Sequence, residues 1–74
     1  MSKMEIDKDQ LNKEIRRFLK LVGITSQLEI ERAVKNSLAA GTFPASGKLS
    51  AKMTLSVPAL DLEHVIDHEI DVNL

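Results

Sequence analysis

The sequence predicts an α+β domain in which a two-helix hairpin precedes an antiparallel β-hairpin, in the order ααββ, with the helices packed on one face of the sheet. Three observations lead to this prediction. Apolar residues recur with the 3.6-residue period of a helix in the first half of the chain. Over 48–57 they alternate with polar residues, which is the period of a strand. Between the two halves lies "TFPASG", whose residues favour a loop.

The first helix is predicted over residues 8–22. Asp7 or Asp9 can cap its first turn, and Gly23 can adopt the left-handed conformation that ends a helix. Its apolar residues fall at i, i+4, i+7, i+8 and i+11, the spacing of one helical stripe. They are Leu11, Ile15, Phe18, Leu19 and Val22.

A second helix is predicted over 26–40. The letters "SQLE" fit a capping box, in which the Ser26 hydroxyl and the Glu29 carboxylate satisfy free backbone N–H groups. Gly41 stops this helix. Its stripe comprises Ile30, Ala33, Val34 and Leu38, with Leu28 at the margin. The two helices would then meet through a tight turn at residues 23–25.

The second half is predicted to form a loop over 41–47 and two strands over 48–57 and 62–73. In the first strand Leu49, Ala51, Met53, Leu55 and Val57 alternate with polar residues. Pro58 suits the second position of a type I turn, so the two strands should form a hairpin. Residues 1–6 are predicted to be a flexible tail.

The register of this hairpin follows from the charges. If Val57 lies opposite Leu62, then Lys52 lies opposite Asp67 and Lys48 opposite Asp71. A shift of two residues either way leaves at most one of these lysines facing an acid. Cross-strand charge pairs contribute only about 0.2 to 1 kcal/mol each, so they select the register more than they stabilise it. The same register puts His64 opposite Leu55 and His68 opposite Ala51.

The two histidines raise the question of a metal site, because His64 and His68 are four residues apart. On a helix both could ligate one zinc ion. On a strand they would be roughly 13 Å apart, too far to share an ion within one chain. The strand is the favoured interpretation, so we predict no metal site and no cofactor, and expect two partly buried imidazoles on an aliphatic face.

Composition indicates one soluble domain over residues 1–74. The chain is 43% hydrophobic and 28% charged, values typical of a folded protein. It has no cysteine, no apolar run of the roughly 18 residues needed to span a bilayer, and no signal-peptide pattern at "MSKMEIDKDQ". These features favour a cytoplasmic protein without a membrane partner.

Catalysis is not expected. The acids of the second strand share an outward face. Carboxylates there are solvated by water, whereas a catalytic acid or base needs an environment adapted to proton transfer. The serines have no G-x-S-x-G motif, and the glycines at 23, 41 and 47 stand far apart instead of forming a phosphate-binding loop. The sequence therefore favours a non-enzymatic protein-interaction or regulatory module with an unknown protein partner.

Self-association is one form such an interaction could take. A two-stranded sheet leaves both strand edges open, and domains this small bury only about 60% of their surface. A homodimer pairing either strand with its symmetry mate would extend the sheet. The lysines of the first strand and the acids of the second could instead deter this pairing, so the sequence leaves the oligomeric state open.

Nucleic-acid binding is the alternative function. Two helices joined by a short turn and followed by a hairpin outline a winged helix-turn-helix. The residues that could contact phosphates are Arg16, Arg17, Lys20, Arg32 and Lys35. The helix over 26–40 has little net positive charge and the hairpin is rimmed with acids, so nucleic acid is the less favoured partner.

Three segments resemble a small family of uncharacterised bacterial proteins. They are "IRRFLKLVGITSQLEIERAV" over residues 15–34, "MTLSV", and "LDLEHVIDHEI" near the C-terminus, and together they span most of the chain. The family carries no assigned activity, ligand or catalytic residue. The resemblance therefore implies a stand-alone bacterial domain and transfers no functional residue.

Overall fold

The computed structural model describes residues 5–73. The chain forms one long helix, α1 (Lys8–Ala40), followed by strand β1 (Lys48–Val57), a single 3-10 turn (Pro58–Leu60) and strand β2 (Leu62–Asp71). The described chain is therefore α+β, as predicted. It divides into two compact units, a helix unit ending at Ala39 and a hairpin unit starting at Ala40. Most of the predicted tail over 1–6 lies outside the described residues.

Helix α1 begins and ends at the residues that the capping signals indicate. The backbone N–H of Gln10 donates to Asp7 Oδ1 at 3.0 Å, so Asp7 caps the first turn. Gly41 follows the last helical residue with φ +75°, in the left-handed region that glycine adopts without a steric penalty. Helix α1 thus starts one residue after Asp7 and ends one residue before Gly41.

The predicted break between the two helices is wrong. The helix continues through Gly23, and Ser26 lies in its interior rather than at an N-terminus. A glycine inside a helix costs only about 1 kcal/mol relative to alanine. A turn at 23–25 would instead give up several i→i−4 hydrogen bonds and leave free groups at two new helix ends. Continuity is therefore the lower-energy solution for a segment with strong helix formers on both sides.

The hairpin register agrees with the prediction at every predicted pair. Val57 pairs with Leu62, Met53 with Ile66, and Leu49 with Ile70. Leu55 and Ala51 lie opposite the two histidines, and Lys52 and Lys48 lie opposite Asp67 and Asp71. Strand β2 ends at Asp71 rather than at the predicted 73. The alternation of side chains therefore separates one apolar face from one polar face.

Both ends of the hairpin are closed by backbone hydrogen bonds. At the connection between the strands, the Asp61 N–H donates to Pro58 O at 3.0 Å, and Asp61 has φ +52°. Aspartate is one of the few side chains that tolerate this left-handed conformation. At the open end, the Val72 N–H donates to Gly47 O at 2.7 Å. The register is thus fixed from both sides.

No hydrophobic side chain among the described residues is buried. A single helix has no second element within its unit to cover it, and a two-stranded hairpin has no second layer. The prediction of partly buried histidines is wrong, because His64 and His68 are both exposed. The packing of helices on the sheet stays a prediction.

Candidate functional site

The most prominent surface of the hairpin is its apolar face, which takes one side chain from every second position of both strands. Eight of its ten residues are aliphatic and two are histidines. Met53 and Leu62 are about two-fifths exposed, and Ile66 is 51% exposed. The members of this apolar face are Leu49, Ala51, Met53, Leu55, Val57, Leu62, His64, Ile66, His68 and Ile70.

The opposite, polar face of the hairpin carries its charges. Lys48 and Lys52 lie on β1, whereas β2 contributes four acids, Glu63, Asp67, Glu69 and Asp71. Lys48 Nζ is 3.8 Å from Glu69 Oε1. Counted over residues 40–74, two lysines stand against five acids, a balance of −3. The hairpin unit is therefore apolar on one side and acidic on the other.

The strand geometry keeps the two histidines apart. Four strand residues at about 3.3 Å each separate His64 from His68 by roughly 13 Å. Both belong to the apolar face, where their cross-strand partners are Leu55 and Ala51. Within residues 5–73 no group of three or more His, Asp or Glu side chains is placed to hold a metal ion.

Helix α1 carries three separate apolar stripes. Since each helical residue turns by about 100°, Leu11, Ile15, Phe18 and Val22 share one side, which we call the N-terminal stripe and which has Leu19 at its margin. The stripes point in directions roughly 120° apart around the helix axis. The middle stripe comprises Leu21, Ile24 and Leu28, and the C-terminal stripe comprises Ile30, Val34 and Leu38.

These stripes are open to solvent. Phe18 is 50% exposed, Leu21 64% and Leu38 51%. The predicted break divided the middle stripe, because it left Leu21 in the helix over 8–22, Ile24 in the turn at 23–25 and Leu28 at the margin of the second helix. Its i, i+3, i+7 spacing was visible in the sequence, and it becomes a stripe once Gly23 is treated as helical.

The five residues of the nucleic-acid alternative do not form one patch. Arg16 and Lys20 lie one turn apart on α1, and Lys13 joins them at i, i+3, i+7 to form a basic stripe. Arg17 Nη1 is 3.6 Å from Glu14 Oε2, and Arg32 Nη1 is 3.4 Å from Glu29 Oε1. Lys35 lies further along α1, one turn after Glu31.

The predicted helix-turn-helix outline is absent, because the segment over 26–40 continues α1 instead of forming a separate recognition helix. No described helix is long and apolar enough to cross a membrane.

Comparison with known proteins gives a family but no activity. Over residues 6–73 the chain matches the model of one protein family, described as a family of unknown function. This match confirms the resemblance to a family without an assigned function, whereas a bacterial origin stays a prediction. Comparisons with curated proteins and with solved structures found no match.

Proposed function

This chain belongs to DUF6494, a family of unknown function, and we propose that it is a non-enzymatic protein-interaction module, structural or regulatory in effect. The observation that carries the proposal is the apolar face of the hairpin, on which Met53, Leu62 and Ile66 are exposed together with the two histidines while the other five residues are half-buried. Contiguous exposed apolar patches on soluble proteins mark sites where another surface binds. A partner that covers this face removes aliphatic side chains from water, which stabilises the complex by roughly 25 cal/mol per Å².

The stability of the hairpin unit supports the same proposal. An isolated two-stranded hairpin is marginally stable in water and gains independent stability when a further layer packs on it. The apolar face contains the side chains that such a layer would cover. Binding and ordering of the hairpin would then be coupled, because the contacts that attach the partner also hold the strands together.

The distribution of polar groups supports a role other than catalysis. The carboxylates of β2 lie on the polar face, and Glu63, Asp67 and Asp71 are exposed there. Exposed carboxylates face water rather than a cleft in which a substrate could be positioned. The apolar face offers only the two separated imidazoles.

In-cell photo-cross-linking tests the proposal. A photo-reactive side chain is placed at position 66 on the apolar face or, as the matched control, at position 65 on the polar face. Both positions are on β2 and about equally exposed, Ile66 at 51% and Val65 at 46%. We expect protein adducts from position 66 and few from position 65. Absence of protein adducts from both positions would contradict the proposal.

Nucleic-acid binding is a second candidate because of one observation, the basic stripe of Lys13, Arg16 and Lys20 on α1. Three cations on adjacent turns can contact successive phosphates. The acidic balance of the hairpin unit opposes this function, so the stripe on α1 would have to bind without the hairpin.

A further inference from the structure

We propose that the partner is a second copy of this chain, and that the apolar hairpin face and the stripes of α1 of one copy are buried against the other copy. This inference rests on the proposed interaction function and specifies which protein covers the apolar face. Four features of the molecule support it: the directions of the helix stripes, the area of the apolar surfaces, the signs of the charges, and the composition of the sheet edges.

The stripes of α1 require more than one covering surface. Their directions differ by roughly 120°, so a flat sheet face that covers one stripe leaves the other two open. A single hairpin, from whichever chain, can therefore cover at most one of them. Phe18, Leu21 and Leu38, one from each stripe, are each half exposed or more. In a dimer the helix of one copy can also pack on the helix of the other, which adds a covering surface beyond the hairpin faces.

The area of the apolar surfaces matches what a stable dimer needs. Ten residues of two paired strands give a face roughly 33 Å long and 10 Å wide, or about 330 Å². The three stripes run over 11–22, 21–28 and 30–38 of α1, about 44 Å in all at 1.5 Å per residue, so at a width of about 10 Å they add roughly 440 Å² together. The sum of the face and the stripes is close to the roughly 800 Å² that each partner of a standard interface buries. Either surface alone falls below that value.

The charges favour a copy of the same chain over a partner of one sign. Over residues 1–39 eight basic side chains stand against six acids, a balance of +2, whereas residues 40–74 have a balance of −3. A strongly acidic partner would be repelled by the hairpin unit, and a strongly basic one by the helix unit. A second copy presents both signs, so the helix unit of one copy attracts the hairpin unit of the other.

The sheet edges are less suited to symmetric contact than the apolar face. Pairing β2 with its symmetry mate would bring two rows of acids together. Pairing β1 with its mate would bring Lys48 and Lys52 of one copy close to the same lysines of the other. Pairing β1 of one copy with β2 of another is head-to-tail and does not close after two copies. The apolar face has only His64 and His68 as titratable groups. Contact through this face opposes no like-charged side chains.

Sedimentation equilibrium of the purified full chain tests the inference without any substitution. Between about 1 and 100 µM we expect a mass of twice 8.2 kDa, with an unfolding midpoint that rises with concentration, as dimeric proteins show. A mass of 8.2 kDa at about 100 µM, with unfolding independent of concentration, would overturn it.

Two adjacent substitutions test the assigned face. Ile66→Asp places a charge on the apolar face and Val65→Asp places the same charge on the polar face. We expect Ile66→Asp to raise the dimer dissociation constant by about 100-fold or more, as an uncompensated buried charge does, and Val65→Asp to change it by less than about 3-fold. Equal effects would overturn the face assignment.

A second pair on the helix keeps the test decisive if Ile66→Asp does not fold. Leu21→Glu adds a charge to the middle stripe, and Lys20→Glu adds the same side chain at the neighbouring position on the basic stripe. We expect only Leu21→Glu to raise the dissociation constant, by about 10-fold or more. Circular dichroism of each variant verifies that α1 is still helical.

Combining these measurements with the cross-linking experiment separates the two proposals. One outcome is a purified chain that is monomeric while position 66 cross-links in cells to a protein of another mass. That result contradicts the dimer and supports the interaction function. A monomer without protein adducts overturns both. Adducts at twice 8.2 kDa together with a dimer in solution support both.

Discussion

Lys48 Nζ lies 3.8 Å from Glu69 Oε1, although the Cα partner of Lys48 across the hairpin is Asp71. The ion pair is therefore diagonal, formed with the acid two positions before the direct partner on the same face. Both side chains are about three-fifths exposed, so water screens the attraction. Lys48 thus keeps the predicted backbone register while its ammonium group pairs with a different acid from the one directly opposite.

A double-mutant cycle measures this diagonal pair. We expect Lys48→Ala and Glu69→Ala to show a coupling free energy of about 0.2 to 0.5 kcal/mol, the lower part of the range for exposed pairs, decreasing as salt is added. Thermal unfolding at fixed protein concentration gives the values. Lys48→Ala with Asp71→Ala is the matched control. A larger coupling in this control cycle would show that the direct pair dominates in solution.

Substitution of Gly23 tests the unbroken helix. No atom lies within 4 Å of the position that a Cβ at Gly23 would occupy, apart from its own chain neighbours and helix backbone. Gly23→Ala should therefore stabilise α1 by about 1 kcal/mol through helix propensity alone. The measurements are helical circular dichroism and the thermal midpoint.

Gly41→Ala is the matched control. Space is also open there, but φ is +75°, so the substitution should destabilise the chain by about 1 kcal/mol. If Gly23→Ala is the destabilising one of the pair, residue 23 has a left-handed conformation and the helix breaks where the sequence first indicated.

An engineered zinc site tests the register on the apolar face. Leu55 lies opposite His64, and directly opposed side chains have Cβ atoms about 5 Å apart. Leu55→His should create a pair that binds zinc, visible as a thermal midpoint that rises with zinc concentration. The wild-type chain should show no such rise, because its histidines are roughly 13 Å apart.

Thr54→His serves as the control, because residue 54 is opposite Val65 on the polar face. A zinc-dependent rise in this variant but not in Leu55→His would mean that the strands are shifted by one residue. A stoichiometric zinc ion in the wild-type chain, detected by native mass spectrometry, would contradict the strand placement of both histidines.

A titration with duplex DNA tests the second candidate function. We expect no saturable binding at physiological salt, because only a short basic stripe is available and the hairpin unit is acidic. Fluorescence anisotropy at low and high salt is the measurement. Binding that falls steeply with salt and is lost in Arg16→Ala with Lys20→Ala, but kept in Arg32→Ala with Lys35→Ala, would support nucleic-acid recognition through α1.

The hairpin could be predicted in detail from the sequence because two independent patterns define it. Alternation in β1 fixes which side chains share a face, and Lys48 and Lys52 select the register against the acids of β2. Asp61 adds a residue that accepts the left-handed turn. Each signal is local, so no knowledge of distant contacts was needed.

The helical half was predicted less well because its signals compete. Gly23 and the Ser26–Glu29 pattern resemble a helix end and a helix start, yet each is worth only about 1 kcal/mol. The hydrogen bonds of a continuous helix outweigh them. Likewise, alternation identifies the apolar face but does not determine its exposure, since burial depends on the surfaces that meet it.

The strict alternation of the hairpin makes the coding sequence sensitive to deletions in a particular way. Because the turn at 58–61 holds the end of β1 in register with β2, loss of any single codon within β1 would move every earlier side chain of that strand to the opposite side of the sheet. For a deletion of Ser56, Lys52 would point among the aliphatic residues of β2 and Met53 towards its carboxylates. Such an allele would keep nearly the same composition and net charge while losing the apolar face. Point substitutions on the polar face should be far better tolerated than an in-frame loss of one residue.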